Sequence, residues 1–364
     1  MSADVLVVGG GLAGAAAARL LAAAGRDVRV SEREPGPHHK VCGEFLSIEG
    51  VRELERLGLP ANELGPMPID RVRVVHGGRA VEAALPFVAQ GLSRKVLDAV
   101  LLEHAAAAGA EVRYGEKLAS LDGVDAAAVL LATGKHDVRG IGRDDGSARS
   151  DAHVGLKMHF GVGARVRATL GRTVELYFFD GGYAGLQMVG ADTANLCLAL
   201  RKGRFRELGG RWEDVLAMLL REPILAARLE DAEALLPKPM TIANLPYGFV
   251  ARDMPADSRL FRLGDQVGMT GSLTGDGMAA ALRTGRMAAE AVIAGEGSFA
   301  YQQRAVEMVA PQIGRAMTLQ RLAEVGALRR VGMGVLAAAP GLLTLLAKRT
   351  RLAADGIRTA KALR

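Results

Sequence analysis

The chain opens on an unbroken apolar run, Asp4-Val5-Leu6-Val7-Val8, that ends in glycines, the pattern of a central parallel strand buried on both faces. Residues 13–24 follow as an alanine-rich helix stopped by Gly25, and Val28-Arg29-Val30 supplies a second strand, so a βαβ unit closes within the first ~30 residues. Leu92 to Gly109 is amphipathic, with Val96, Val100 and Leu101 on one side, and the strands Glu111 to Tyr114 and Ala127 to Leu131 come next, the latter running into Ala132-Thr133-Gly134. Between Asp151 and Tyr247 the pattern shortens to alternating runs such as Thr173 to Phe179 and Ala194 to Leu200. These predict antiparallel strands of a second layer, interrupted by one helix over 212–229. An apolar strand returns near Leu260, and from Ser298 onward the spacing predicts mostly helix. Val331 to Ala347 is nearly uncharged but spans only 17 residues and contains Gly332, Gly334, Pro340 and Gly341, too short and broken to cross a bilayer. The fold class predicted is α/β with an α+β insertion: a Rossmann-like doubly wound domain, an antiparallel-sheet second domain and a helical C-terminal tail.

A chain of 364 residues with 49% hydrophobic content can bury the core of one large domain plus an insertion. Two cysteines, Cys42 and Cys197, are too few for a disulfide framework, and no signal-peptide pattern precedes the first strand, which predicts the reducing cytoplasm. The net charge of +6 is uneven: from Lys348 the tail carries six cations, Lys348, Arg349, Arg351, Arg358, Lys361 and Arg364, against Asp355 alone. Aromatics make up 4% of the chain and do not interleave with basic residues, so nucleic acid is not an expected partner.

Gly9-Gly10-Gly11-Leu12-Ala13-Gly14 contains GxGxxG directly after a strand and at the start of a helix, the context in which the motif binds a dinucleotide. Gly9 permits the tight turn, Gly11 lets backbone approach a pyrophosphate, Gly14 lets helix and strand pack closely, and the helix N-terminus favours phosphate. Glu32, at the end of the second strand, is placed to accept from a ribose diol, and its charge opposes a 2′-phosphate, which favours FAD or NAD over NADP. A second match, Gly332 to Ala337, has GxGxxA spacing but no preceding strand and reads as helix packing. Leu260 to Leu263 runs into Gly264-Asp265, and Leu273-Thr274-Gly275-Asp276-Gly277-Met278 leads into an alanine-rich helix. An Asp at a strand end can bond a ribityl hydroxyl, and backbone N–H groups at a helix start can face an electron-rich ring edge, which chooses FAD.

These stretches, with Lys40-Val41-Cys42-Gly43-Glu44 and Arg94 at the head of its helix, resemble flavoproteins of the p-hydroxybenzoate hydroxylase structural class, geranylgeranyl reductase-like branch, over residues 1 to about 295. The resemblance implies one FAD per chain, NAD(P)H as electron donor, Glu32, Arg33, Arg94 and Asp265 holding the cofactor, and the Cys42-Gly43 pair beside the isoalloxazine. The full expected cofactor set is Gly9, Gly11, Leu12, Ala13, Gly14, Glu32, Arg33, Cys42, Gly43, Arg94, Thr133, Gly134, Gly264, Asp265, Gly275, Gly277 and Met278. The implied division is FAD-binding stretches at 1–66, 92–150 and 256–297, substrate-facing strands at 67–91 and 151–255, and C-terminal helices at 298–364. Thr133 stands where hydroxylases of the class carry the Asp of an Asp-Gly motif, a proline common before the last glycine turn is replaced around Ser272, and Trp212 is the only tryptophan, which disfavours the halogenases' paired-Trp motif.

Three residues are candidates for chemistry. Cys42 follows His38-His39-Lys40, whose cations favour a thiolate, so it is either a proton donor or a small packing residue beside the ring. Glu44 is either an acid–base group or, as expected first, a surface carboxylate starting a helix. Tyr183, in a segment resembling the reductases' substrate-facing strand, either lines a pocket or packs on the sheet. Cys197 reads as inert core, and His153 and His159 lack metal-like spacing, so no metal is expected. The C-terminal helices either lie in a membrane interface or close over the protein's own cleft, and both suit a small lipophilic substrate. Three functions follow: an NAD(P)H-dependent monooxygenase hydroxylating a lipophilic aromatic or polyketide-like compound, placed first because the wider class holds many hydroxylases; a prenyl C=C reductase, favoured by Lys-x-Cys-Gly-Glu; and a flavin-loaded binding protein without turnover.

Overall fold

Every position of Val5–Val8 is buried, as an uninterrupted apolar run demands, and the strand lies at the centre of a parallel sheet. The computed structural model describes residues 3–141, 143, 152–253 and 257–353. Strand order across this five-stranded sheet is Leu260–Arg262, Ala128–Leu131, Val5–Val8, Val28–Glu32 and Glu111–Tyr114, all parallel. The predicted first helix is Leu12–Ala23, and its run Ala15 to Ala18 is fully buried against the helices Arg94–Ala107 and Gly277–Ile293. Small side chains let these three helices approach closely, which brings the starts of Leu12–Ala23 and Gly277–Ile293 to one side of the sheet. That side is the carboxyl end of the strands, where open α/β sheets bind ligands.

The second layer is a nine-stranded sheet, mixed rather than purely antiparallel, because Met67–His76 runs parallel to Thr173–Phe179. Its path is Glu233–Ala234, His153–Gly161, Thr193–Arg201, Gly182–Met188, Thr173–Phe179, Met67–His76, Arg79–Gly91 and Phe45–Leu46, with Met240–Leu245 also paired to His153–Gly161. His153–Gly161 alternates strictly. Val154, Leu156, Met158 and Phe160 enter the apolar core, so His153, Gly155, Lys157 and His159 face the other way, toward the first layer.

The single helix predicted over 212–229 is two, Trp212–Leu219 and Pro223–Leu229. Pro223 has no N–H to continue the first helix and instead starts the second, where the Glu222 side chain accepts from Ile224 N–H. The C-terminal region comprises Ser298–Glu324, which contains Pro311, and two shorter helices, Gly326–Ala338 and Gly341–Arg349, bent by 114° at Ala339-Pro340. No single helix among the described residues is long and apolar enough to cross a membrane. Asp355, Arg358, Lys361 and Arg364 of the basic tail lie outside the described residues, as do Asp151 and the division points 150/151 and 255/256.

Candidate active site

At the carboxyl end of the parallel sheet lies a cleft of about 670 Å³. Gly9, Gly11, Leu12 and Ala13 line it from the first turn, Glu32 and Arg33 from the second strand, and Cys42, Gly43 and Arg94 from one flank. Thr133, Gly134, Gly264, Asp265, Gly275, Gly277 and Met278 line it from the other. Gly9 has φ +101°, and a Cβ there would come within 2.6 Å of the Ala132 carbonyl oxygen. Gly14 lies behind the turn rather than in the cleft, and a Cβ on it would fall on the Gly9 carbonyl oxygen, so this glycine is the contact between helix and strand. Gly10 N–H donates to Glu32 Oε2 at 2.8 Å, tying the turn to the second strand.

The cleft fits a dinucleotide's pyrophosphate. The helix Leu12–Ala23 starts at Gly11 with no side-chain cap, and two cations stand over that glycine, Lys40 Nζ and Arg94 Nη2 lying 3.5 and 3.8 Å from where its Cβ would be. Both are held by Asp98, at 2.8 Å from Lys40 and 2.7 Å from Arg94 Nε, and Asp98 is buried. Uncapped N–H groups facing paired cations ask for an anion.

The large sheet pins the loop carrying Cys42 against this cleft. Asn195 Nδ2 donates to the carbonyls of Cys42 and Gly43 at 3.0 and 2.9 Å, and Gln187 Nε2 donates to that of Glu44 at 2.9 Å. Glu44 itself corrects the sequence reading. It is fully buried, has φ +59°, and precedes the helix Ile48–Arg56 rather than starting it on the surface. Its oxygens meet Lys157 Nζ at 2.6 Å and His159 Nε2 at 2.7 Å, and Arg94 N–H donates to it at 2.8 Å. Burial pushes the Glu44 carboxyl up, but the His159 hydrogen bond and the Lys157 charge more than offset this and hold it below the ordinary range. His39 stacks edge-on to His159 with ring centroids 4.9 Å apart, and burial, His159 and Lys157 lower it to about 4, so it is neutral near pH 7. His39, Glu44 and His159 are near enough to share a metal ion by distance, yet the Lys157 ammonium already answers the Glu44 charge. The signal for this cluster was the polar alternation of His153, Lys157 and His159, which resembles a solvent face and is instead buried against the cleft.

Opposite, the Leu273-to-Met278 turn is braced from behind. Asp276 is buried, with Arg351 Nη1 at 2.9 Å and Gln312 Nε2 donating at 3.2 Å. Arg351 also donates to the Thr274 carbonyl and lies over the Phe87 ring at 5.0 Å. Desolvation dominates and pushes the Asp276 carboxyl up to about 7 despite Arg351. A carboxyl raised in the fold favours folding while protonated and loses that contribution as pH rises from its unfolded value toward about 7. The stability advantage of the Asp276→Asn variant over the wild type should therefore grow by roughly 3 kcal/mol between pH 5 and pH 8 in denaturant titrations. An advantage that does not change between these pH values would show that Arg351 compensates burial in full.

A second, largely apolar cavity of about 320 Å³ adjoins the cleft, and Gly43, Phe45, Cys197, Ser272 and Gly275 line both. Its walls include Val72, Val74, Leu85, Phe87, Val174, Leu176 and Phe178 from the sheet and Met333, Leu336 and Leu343 from the two C-terminal helices. Tyr183 lines this cavity, not the cleft, and its hydroxyl bonds Ser272 Oγ, which is 3.2 Å from the Tyr247 hydroxyl in the cleft. Tyr247 carries no sequence signal and Ser272 stands out only as the place of a replaced proline, since both meet Tyr183 only through the fold. Burial pushes both phenols above their ordinary range, so they remain protonated. Cys42 lines only the cleft, where its sulfur accepts from Glu44 N–H at 3.3 Å. Cys197, on the wall between the two spaces and not in the core as expected, is pushed up to about 12 by burial.

Residues 2–150 match the FAD binding domain family. The chain is 30% identical over 314 residues to a digeranylgeranylglycerophospholipid reductase of Methanopyrus kandleri, covering 80% of this chain and 76% of that one. It is 36% identical over 121 residues to menaquinone reductase of Mycolicibacterium smegmatis, a match spanning 32% of this chain and 30% of that protein. Among solved structures, the flavin-dependent brominase Bmp2 superposes with a TM-score of 0.76 at 18% identity, covering 98% of this chain and 96% of that one, a likeness of fold alone.

Proposed function

Since this chain belongs to the geranylgeranyl reductase-like branch of the FAD-dependent oxidoreductases, we propose that it reduces C=C bonds in the prenyl chain of a lipid, with NAD(P)H as electron source. The observation that carries this reading is the apolar cavity opening onto the cofactor cleft at Gly43, Ser272 and Gly275, space for a hydrocarbon chain beside the place a flavin ring occupies. Hydroxylation, placed first from class membership alone, yields to this reading because relatives matched over about three quarters of their length are named digeranylgeranylglycerophospholipid reductases.

Saturating an alkene needs a hydride on one carbon and a proton on the other. Bound in the cleft and reduced, FAD supplies the hydride. The chain's own residues supply position and proton. Val72, Val74, Leu176 and Phe178 hold the hydrocarbon and exclude water, and Tyr183, protonated, lining the cavity and bonded to Ser272, is the proton donor when Ser272 donates to it. Ser272 and Tyr247 then return a proton to Tyr183 from the cleft side.

Anaerobic incubation with NAD(P)H and a geranylgeranyl glycerolipid should give a product gaining two hydrogens per double bond, read by mass spectrometry. Oxygen incorporation into a phenolic lipid under air, without alkene saturation, would overturn this in favour of hydroxylation; retained flavin with neither reaction would leave a binding role. Tyr183→Phe should lower turnover at least about tenfold with flavin content intact, whereas Cys42→Ser, away from the cavity, should change it less. The reverse order would make the thiol the donor.

A further inference from the structure

We propose that the outer face of the two C-terminal helices docks onto an anionic lipid bilayer, seating the cavity entrance at the membrane surface. These helices cover the cavity with one side, through Met333, Leu336 and Leu343, yet their opposite side is apolar as well. Val331 is 66% exposed, Val335 49% and Leu345 45%, in a pair of helices where Gly326–Ala338 buries no residue at all. A lid over a cavity in water needs a polar outer side, and a row of exposed branched residues is what an interfacial helix inserts below head groups.

Charge selects the occupant. From Val325 to Ala353 the sequence holds Arg329, Arg330, Lys348, Arg349 and Arg351 and no acid. Arg329 is taken by Asp180 at 2.8 Å and Arg351 by Asp276, but Arg330, Lys348 and Arg349 are exposed and form no ion pair among the described residues. Three free cations flanking an apolar ridge complement a negatively charged leaflet, not a second copy of the same basic surface, which like charge would repel. The 114° bend lets both helices lie along a surface rather than cross it. The proposal deepens the prenyl-lipid reading by giving the substrate a route from bilayer to cavity, and it rests on that reading only for the purpose of docking.

The test is flotation of the flavin-loaded protein with phosphatidylcholine vesicles, with and without phosphatidylglycerol, alongside activity on a short prenyl substrate dispersed in water. The wild type should float with the anionic vesicles, less with neutral ones, and less again as salt rises. Reversing all three charges with Arg330→Glu, Lys348→Glu and Arg349→Glu should weaken binding about a hundredfold, and Val331→Asp should also weaken it, with activity on the dispersed substrate unchanged. Wild type that stays unbound, binds both vesicle types equally, or is matched by the variants would overturn the proposal. So would a Val331→Asp monomer from a wild-type dimer, which would make this face a self-association surface. Flotation does not depend on turnover, so inactive protein that floats sinks only the catalytic reading.

Discussion

Gly14→Ala is expected to retain at most about a tenth of the wild type's flavin after purification, because overpacking of ~1–3 kcal/mol falls on the phosphate turn itself. The added methyl has no free direction. It meets the Gly9 carbonyl oxygen, with Ala132 Cβ and Val7 Cγ1 each at 3.1 Å, so the turn must shift before the helix can pack. Gly11→Ala is the informative partner. A Cβ there meets no backbone, only the ends of Lys40 and Arg94, so the apoprotein should melt like the wild type while flavin affinity drops as the methyl enters the phosphate's place. Absorbance of bound flavin and thermal melting of the apoproteins read both effects. A Gly14→Ala protein as yellow as the parent would remove the cleft from the cofactor's account.

The larger loss of stability is expected at Glu44. Glu44→Ala leaves Lys157 buried without a counter-charge, which costs about 3–5 kcal/mol, whereas combining it with Lys157→Met should recover most of that loss. The Glu44 carboxyl is held below its ordinary range, so its contribution is complete above that range and fades as acid titrates the folded group; the gap between wild type and Glu44→Ala should narrow accordingly. Denaturant melts across pH would show it. A single variant as stable as the wild type, or a double variant no better than the single, would mean that His159 and Arg94 N–H already carry the cluster.

What the sequence disclosed follows from how far each signal travels along the chain. The glycine turn, Glu32 and Gly264-Asp265 are local: strand, turn and helix lie within a few residues, and the structure brings all of them to one cleft. Glu44 was misjudged because its partners Lys157 and His159 stand more than a hundred residues away, on a strand whose polar alternation reads equally as a wet face. The apolar cavity had no local signal either, since its walls come from Val72, Phe87, Val174, Thr274 and Leu336, five separate stretches. The helix break at Pro223 was readable from the residue itself and was overridden by an apolar pattern that continued through it.

The long helix Ser298–Glu324 touches both layers in turn. Tyr301 donates to the Arg262 carbonyl at 2.7 Å beside the parallel sheet, Gln312 reaches Thr274 at 3.0 Å in the Leu273-to-Met278 turn, and Glu324 ties His153 at 3.1 Å and Arg201 at 2.8 Å in the large sheet. A strut fastened at three stations ties the halves it spans, so on the prenyl-lipid reading the movement that admits a hydrocarbon falls to the helices Gly326–Ala338 and Gly341–Arg349. On that reading the cavity's cover and the cofactor cleft are largely separate parts, joined at Arg351, so changes on the cavity side of the last helices would alter substrate preference with the glycine turns left in place.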